Sequence, residues 1–247
     1  MIDSNESIDS IDSIDSINSI TEPFAERIWT VDGDRVRMFG IPFDTRMTVV
    51  QLAGGGLWIH SPVAATEARV QAVTALGPVA YLIAPNRFHY LFLGAWAERF
   101  ADAEVWADPA LRRRRPGLRI DHDLGPSAPE AWREDLEQVY FGGSAILPET
   151  VFFHRVSRTL IVTDVLQNHE PARDGWFARS IKRIAGIVAP DGGVPRDFRL
   201  SVRDRGAARR ARDAILALDF ERLIVTHGRC FEQGARPFVE RAFQWLG

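Results

Sequence analysis

The chain has 247 residues, of which 46% are hydrophobic, with a net charge of −3 and a single cysteine. This composition suits a globular protein with a sizeable core, excludes an intramolecular disulfide, and provides no global electrostatic reason to expect nucleic acid. No apolar run approaches the ~20 residues that cross a bilayer, and the N-terminus lacks the pattern of a secretory signal. We therefore expect a cytoplasmic protein with neither a membrane nor a nucleic-acid partner.

Residues 1–24 contain a repeated Ile-Asp-Ser triplet that places isoleucines three positions apart. A spacing of three matches neither the period of a strand nor that of a helix, so these side chains cannot share one buried face. We predict a disordered, low-complexity acidic tail over residues 1–24 and one folded domain over residues 25–247.

The first half of the folded region alternates short β-rich runs with turn residues. Asp32-Gly33-Asp34 contains Asp-Gly, which is a strong two-residue turn signal. It predicts a hairpin between the runs 28–31 and 36–39. A second hairpin is predicted from the runs 47–52 and 57–60, which flank three glycines. Thr66 and Gly77 have the residue types that begin and end a helix. The remaining predictions here are strands at 79–84 and 104–107 and a helix at 92–100.

The second half repeats this order of elements. Strands are predicted at 136–141, 151–154, 159–163 and 223–226, and helices at 176–188, 206–218 and 236–246. Hairpins followed by a strand-helix-strand unit, twice over, predict an α/β (α+β) fold of two mixed sheets packed face to face with helices outside. This architecture is an αββα four-layer sandwich.

Several apolar strands end on side chains that can bind a metal. Thr159-Leu-Ile-Val-Thr-Asp164 ends on a carboxylate, and Arg222-Leu-Ile-Val-Thr-His227 ends on an imidazole. His60 ends the predicted strand 57–60, and His89 lies in the loop after the strand 79–84. Because side chains at the carboxyl ends of core strands meet at one edge of a sheet, we expect these four groups to converge.

The residues of this region resemble those of the metallo-β-lactamase superfamily, and more closely an uncharacterised family within it, a domain of unknown function. The shared features are Gly40-Ile-Pro-Phe-Asp-Thr-Arg-Met47, Leu57-Trp-Ile-His-Ser-Pro62, Pro85-Asn86 with His89 and Leu91-Phe92, Val151-Phe-Phe-His-Arg155, Ser157-Arg-Thr-Leu-Ile-Val-Thr-Asp164 and His227-Gly-Arg-Cys230. The resemblance covers residues 28–247. It implies the αββα fold and a metal-dependent hydrolase of an ester, thioester, lactone or phosphoester.

The chain departs from the superfamily in its main signature, His-x-His-x-Asp-His. The corresponding loop offers Asn86 in place of the first His, then His89, and then Tyr90 where relatives in the closer family carry a second His. The usual histidine near residues 141–143 is also missing. A standard dinuclear zinc site cannot be built from these residues.

The residues that are present could still form a site for one metal ion. The resemblance assigns Asn86, His89, Asp164 and His227 to one divalent ion, which could be zinc, iron or manganese. It also assigns His60 and Asp164 to catalysis, with His60 orienting a ligand or relaying a proton. The alternative is a non-catalytic module that binds a small molecule or a protein on a scaffold that has lost its metal.

The other polar candidates have simpler predicted roles. We expect His154 to be hydrogen-bonded or outward-facing in its hairpin, and His122 and His169 to be solvated in polar loops. Cys230 is predicted to be a buried small hydrophobic residue rather than a ligand or nucleophile.

Overall fold

The computed structural model describes residues 22–247. The predicted disordered tail therefore lies outside the described residues except for its last three positions, of which Phe24 packs against the apolar layer between the sheets. The strands are β1 Ile28–Met38, β2 Ile41–Gln51, β3 Leu57–His60, β4 Val79–Ala84, β5 Glu104–Ala107, β6 His122–Asp123, β7 Leu136–Phe141, β8 Glu149–His154, β9 Thr159–Val162 and β10 Arg222–Val225. The α-helices are α1 Glu67–Leu76, α2 Leu93–Arg99, α3 Ala110–Arg114, α4 Trp176–Ala185, α5 Arg196–Ser201, α6 Arg205–Ala217 and α7 Ala235–Phe243; Pro171–Arg173 and Gln244–Leu246 are 3-10 turns.

Two mixed sheets form the centre of the molecule. The first has the order β1-β2-β3-β4-β5-β6, with antiparallel pairing from β1 to β3 and parallel pairing from β3 to β6. The second has the order β10-β9-β8-β7, in which only the β10–β9 pair is parallel. The adjacent parallel strands β9 and β10 bring residues 164 and 227 to the same edge.

Three apolar layers confirm the predicted αββα sandwich. Trp58, Phe152 and Ile161 belong to the layer between the two sheets. The outer layers pack helices α1 and α2 against the first sheet and helices α6 and α7 against the second. Alternation along β3 sends Leu57 and Ile59 to the helix side, while Trp58 faces the other sheet.

The first predicted hairpin turn is wrong. β1 runs without a break through Asp32-Gly33-Asp34, where its register with β2 shifts by a bulge between Gly33 and Val36. A Cβ atom on Gly33 would lie 2.4 Å from Oγ1 of Thr45, so this glycine serves close packing and not chain reversal. The chain reverses instead at Phe39 and Gly40, whose φ values of 51° and 81° suit a two-residue hairpin turn.

The other predicted elements agree with the structure to within a few residues, except that β2 begins at Ile41, six residues before the predicted run 47–52. Thr66 caps α1 by accepting a hydrogen bond from the amide of Arg69, and the helix ends before Gly77 as predicted. The short elements α3, α5 and β6 were not predicted, because five, six and two residues are too few for a clear period. No helix in the described part of the chain is long and apolar enough to cross a membrane.

Candidate metal centre

Three side chains converge at the carboxyl edge of the two sheets. His89 follows β4, Asp164 follows β9 and His227 follows β10, and one ligand atom of each lies within 4.8 Å of the others. Nε2 of His89 is 3.2 Å from Oδ2 of Asp164, and Nε2 of His227 is 3.3 Å from Oδ1. All three are nearly buried, so each polar atom needs a partner within the protein or in a bound ligand.

His227 is held in one tautomer by the main chain. Its Nδ1 atom lies 2.6 Å from the carbonyl oxygen of Asp44, and a carbonyl can only accept, so Nδ1 must carry a hydrogen. In the neutral ring Nε2 is then a bare acceptor that faces the carboxylate of Asp164, and two acceptors at 3.3 Å repel. The contact is attractive only when a second ring proton or a metal cation lies between the two atoms.

His89 is oriented in a similar way by a hydroxyl group. Oγ of Ser61 lies 2.7 Å from Nδ1 of His89, and Ser61 directly follows β3 with a positive φ of 54°. When the hydroxyl accepts the Nδ1 hydrogen, Nε2 of His89 presents its lone pair toward Asp164. Both imidazoles can therefore offer Nε2 to one ion. The hydrogen bond at Nδ1, to Ser61 or to the Asp44 carbonyl, fixes the orientation of each ring.

Asn86, which was predicted as a metal ligand, has both polar atoms of its side chain engaged in hydrogen bonds. Its Oδ1 atom accepts hydrogen bonds from the amides of Phe88 and His89, and its Nδ2 atom donates to Asp164 at 2.8 Å and to Thr163 at 3.0 Å. The oxygen that would bind a cation is thus engaged by the loop itself. Asn86 instead orients the Asp164 carboxylate and shapes the turn that carries His89.

Glu149 is a buried carboxylate beside Asp164 that the sequence did not predict to lie at the site. The side chain is fully buried at the start of β8, and its carboxylate accepts hydrogen bonds from the amides of Thr163, Asp164 and Val165 at 2.6, 2.6 and 3.0 Å. Burial raises the pKa of Glu149, and the neighbouring charge of Asp164 raises it further. The sequence feature that could have identified Glu149 is its position as a glutamate at the start of an otherwise apolar strand. Its effect is to clamp the turn that presents Asp164.

Asp164 remains ionised in this buried setting. Burial alone would raise the pKa of Asp164, but the adjacent imidazoles of His89 and His227 hold it well below its ordinary value. Nε2 of Gln167 adds a longer contact of 3.4 Å to Oδ1. A fixed carboxylate with two imidazoles beside it is a donor set that attracts a cation.

His169 is buried, although it was predicted to be solvated. Its ring stacks on that of His227 with centroids 5.9 Å apart, and Nε2 lies 3.0 Å from Oε1 of Gln167. Burial and the nearby His227 lower the pKa of His169 to about 2, so the ring is neutral. It supports the site through Gln167 and through stacking. The polar run in the sequence hid this position, because Gln167 and Asn168 are buried as well.

His60 is not placed for the predicted catalytic role. Its ring is 1% exposed, lies flat against Trp58 at a centroid distance of 5.4 Å, and meets Phe152 edge-on. Within residues 22–247 neither of its ring nitrogens has a hydrogen-bond partner. Burial, and then the nearby His89, lower the pKa of His60 well below its ordinary value. Because β3 alternates, His60 faces the apolar layer between the sheets.

The remaining candidates lie outside the triad of His89, Asp164 and His227. The hydroxyl of Tyr90 accepts a hydrogen bond from Arg115 at 2.6 Å. His154 is hydrogen-bonded to Ser157 as expected, and Cys230 is half-buried, with its sulfur 3.0 Å from a guanidinium nitrogen of Arg46. Burial raises the pKa of the Cys230 thiol, which does not favour a nucleophile.

A cavity of about 630 Å³ opens above the triad. Its lining includes His89, Asp164 and His227, so the three side chains are accessible from it. The β1–β2 hairpin, the loop after β4 and helix α4 contribute most of its walls. A concave site with converging polar groups has the form of a ligand-binding pocket.

Solved structures share this arrangement of sheets and helices. The metallo-β-lactamase of Pontibacter korlensis is 13% identical, with a TM-score of 0.59 over 90% of this chain and 95% of that chain. The metallo-β-lactamase FIM-1 of Pseudomonas aeruginosa, in its mono-zinc form, is 14% identical, with a TM-score of 0.58 over 90% and 91%. The chain has the metallo-β-lactamase fold. The flavodiiron core Flv1 of Synechocystis sp. PCC6803 is also similar to this chain, at 12% identity and a TM-score of 0.61, over 91% of this chain and 60% of that one.

At the level of sequence the metallo-β-lactamase-like chain matches a family described as Domain of unknown function (DUF4336), over residues 25–111. That region includes Ser61, Asn86 and His89 but neither Asp164 nor His227. No curated protein matches the sequence. The likenesses thus concern the scaffold and its first half, and the chemistry has to be argued from the site.

Proposed function

We propose that the chain is a metal-dependent hydrolase that holds one divalent ion with His89, Asp164 and His227. The observation that carries this proposal is the tautomer of His227, whose Nδ1–H bond to Asp44 leaves a lone pair facing a carboxylate. A cation between these groups converts the repulsion into two attractive contacts. The buried position strengthens the argument, because the repulsion between the two acceptors is screened less than it would be in bulk water.

Two imidazoles and one carboxylate suit zinc, iron or manganese, and three protein ligands leave a position for water. A bound ion of this kind supplies a nucleophile by lowering the pKa of water toward ~7. The protein's own groups fix the ligands: Ser61 and the Asp44 carbonyl orient the rings, and Asn86 holds the carboxylate. The substrate would be an ester, thioester, lactone or phosphoester that enters through the cavity.

The test is elemental analysis of protein purified without chelators from cells grown with metals. We expect close to one ion per chain in the wild type and a loss in Asp164→Ala and His227→Ala. His122→Ala is the matched control, because His122 lies on β6 with its side chain 46% exposed. A wild-type content below ~0.1 ion per chain would falsify the proposal.

A non-catalytic binding module is the second candidate. It is favoured by the donors that already reach Asp164, since Asn86 and Gln167 contact one carboxylate oxygen each. Such a module would gain no thermal stability from added zinc, and Asp164→Ala would not alter that response. A zinc-dependent rise in Tm that disappears in Asp164→Ala excludes this candidate.

A further inference from the structure

We infer that the substrate is an uncharged carboxylic ester, thioester or lactone with a long apolar acyl chain. This inference rests on the proposed hydrolase and names the substrate class of the same cavity. Hydrolysis would join the oxygen of water to the acyl carbon and break the bond from that carbon to the leaving oxygen or sulfur. The leaving alcohol or thiol takes up the proton, so no further reactant is needed.

The first argument is the apolar wall of the cavity. Large hydrophobic side chains from four separate segments line it and remain open to solvent: Phe39 is 98% exposed, Leu91 60%, Ile146 59% and Ile181 37%. Burying such side chains would be favourable, yet they are left uncovered around one opening. Six of the twelve large hydrophobic side chains that are exposed among the described residues line this one cavity, and such a group of exposed apolar side chains at a concave site suits an apolar ligand.

The second argument is the charge around the cavity. The lysine and arginine side chains that line it are Arg37 and Lys182, and the carboxylates are those of Asp164 and Asp197. The ammonium of Lys182 is already paired with buried Asp174 at 2.7 Å, and Arg37 donates to the Gly40 carbonyl of its own hairpin. Apart from the proposed metal ion, the lining therefore has no excess of cations to attract a phosphoester or another anionic substrate.

The third argument is the position of the triad relative to these walls. His89, Asp164 and His227 share the cavity with Phe39, Leu91 and Ile181. A substrate whose carbonyl lies at the triad can thus lay its chain against the hairpin and helix α4. The cavity of about 630 Å³ is within the range of ~300–1,000 Å³ that is typical of small-ligand sites.

The test compares p-nitrophenyl acetate, hexanoate and decanoate with the metal-loaded protein. We expect kcat/KM to rise at least tenfold from acetate to decanoate, since each buried methylene adds to binding. Ile181→Ser should lower the decanoate-to-acetate ratio of kcat/KM at least threefold. Ile184→Ser is the matched control, because Ile184 is 69% exposed on the same helix and lies outside the cavity lining. It should leave the ratio unchanged.

Equilibrium binding separates this inference from the proposed activity. Decyl and propyl trifluoromethyl ketones are titrated into the metal-free protein, and we expect the decyl compound to bind at least tenfold more tightly. If no ester is hydrolysed but this preference holds and Ile181→Ser weakens it, the activity fails and the acyl-chain site stands. Rates and affinities that do not depend on chain length overturn the inference, as does faster turnover of bis(p-nitrophenyl) phosphate than of any acyl ester.

Discussion

Nδ1 of His227 lies 2.6 Å from the carbonyl oxygen of Asp44, although the two residues are 183 positions apart in the chain. Asp44 belongs to β2 of the first sheet, whereas His227 follows β10 of the second. The packing of one sheet on the other therefore sets which nitrogen of His227 faces Asp164. Because the acceptor is a main-chain atom, no side chain at position 44 is needed for this bond.

Replacing Asn86 should weaken the metal site without removing it. In Asn86→Ala the Asp164 carboxylate loses its 2.8 Å donor, and the turn that carries His89 loses two amide contacts. We expect zinc affinity to fall by ~10–100-fold in a competition titration with a chromophoric chelator, with one ion still bound at saturation. Gln51→Ala, which removes a hydrogen bond to Leu76 far from the site, should bind zinc like the wild type. A saturating stoichiometry below one half would make Asn86 a ligand after all.

The glycine after His227 should tolerate no side chain. Gly228 has a φ of +111°, and a Cβ there would lie 2.1 Å from the carbonyl oxygen of Asn168. We expect Gly228→Ala to lower the free energy of unfolding in urea by ~3 kcal/mol or more and to weaken zinc binding. Gly40→Ala is the matched control, with a φ of +81° and no atom within 4 Å, and should cost only ~1–2 kcal/mol. Equal losses in the two variants would contradict this account.

Removing the polar atoms of His60 should stabilise the fold. His60→Phe keeps the stacking on Trp58 and removes two buried nitrogens that have no partner among the described residues. We expect the free energy of unfolding to rise by ~1–3 kcal/mol, with Tm rising by ~2–4 °C for each kcal/mol. Metal content should not change.

His154→Phe is the comparison for this variant. His154 is equally buried, but its Nδ1 atom is hydrogen-bonded to Ser157 at 2.7 Å, so the substitution should lower Tm. A loss of metal in His60→Phe would restore the predicted functional role of His60, whereas a loss of stability would contradict only this account of its buried nitrogens.

Acid should destabilise the fold partly through His154. Burial, and then the charge of Arg27, lower the pKa of His154 to about 4, against an ordinary value of 6.5. The folded state thus favours the neutral ring, and this stability is complete above pH ~6.5 and is lost as the pH falls toward 4. From pH 7.5 to pH 5 the loss from this group is about 2 kcal/mol. Urea unfolding of His154→Gln should show a correspondingly smaller loss, and an unchanged pH dependence would assign the acid sensitivity to other groups.

Much of the scaffold and all three converging residues could be predicted from local patterns. Apolar β-branched runs that end on Asp164 and His227 are visible in the sequence, and alternation with helical periods predicts the layers. The Asp32-Gly33-Asp34 signal misled because a glycine that avoids Thr45 across the sheet has the same local appearance as a turn glycine. The local sequence does not distinguish a glycine that close packing requires from a glycine that a turn requires.

The sequence by itself determined the strand ends, the apolar layers and the residue types available for a metal. The tertiary structure alone decided which of those residues meet and in what state. In the tertiary structure Asn86 donates a hydrogen bond to Asp164 and His60 lies among aromatic rings. Glu149 and His169 lie at the site. The reason is physical: a hydrogen bond or a desolvation cost depends on partners from distant strands, whereas propensity and periodicity depend only on near neighbours.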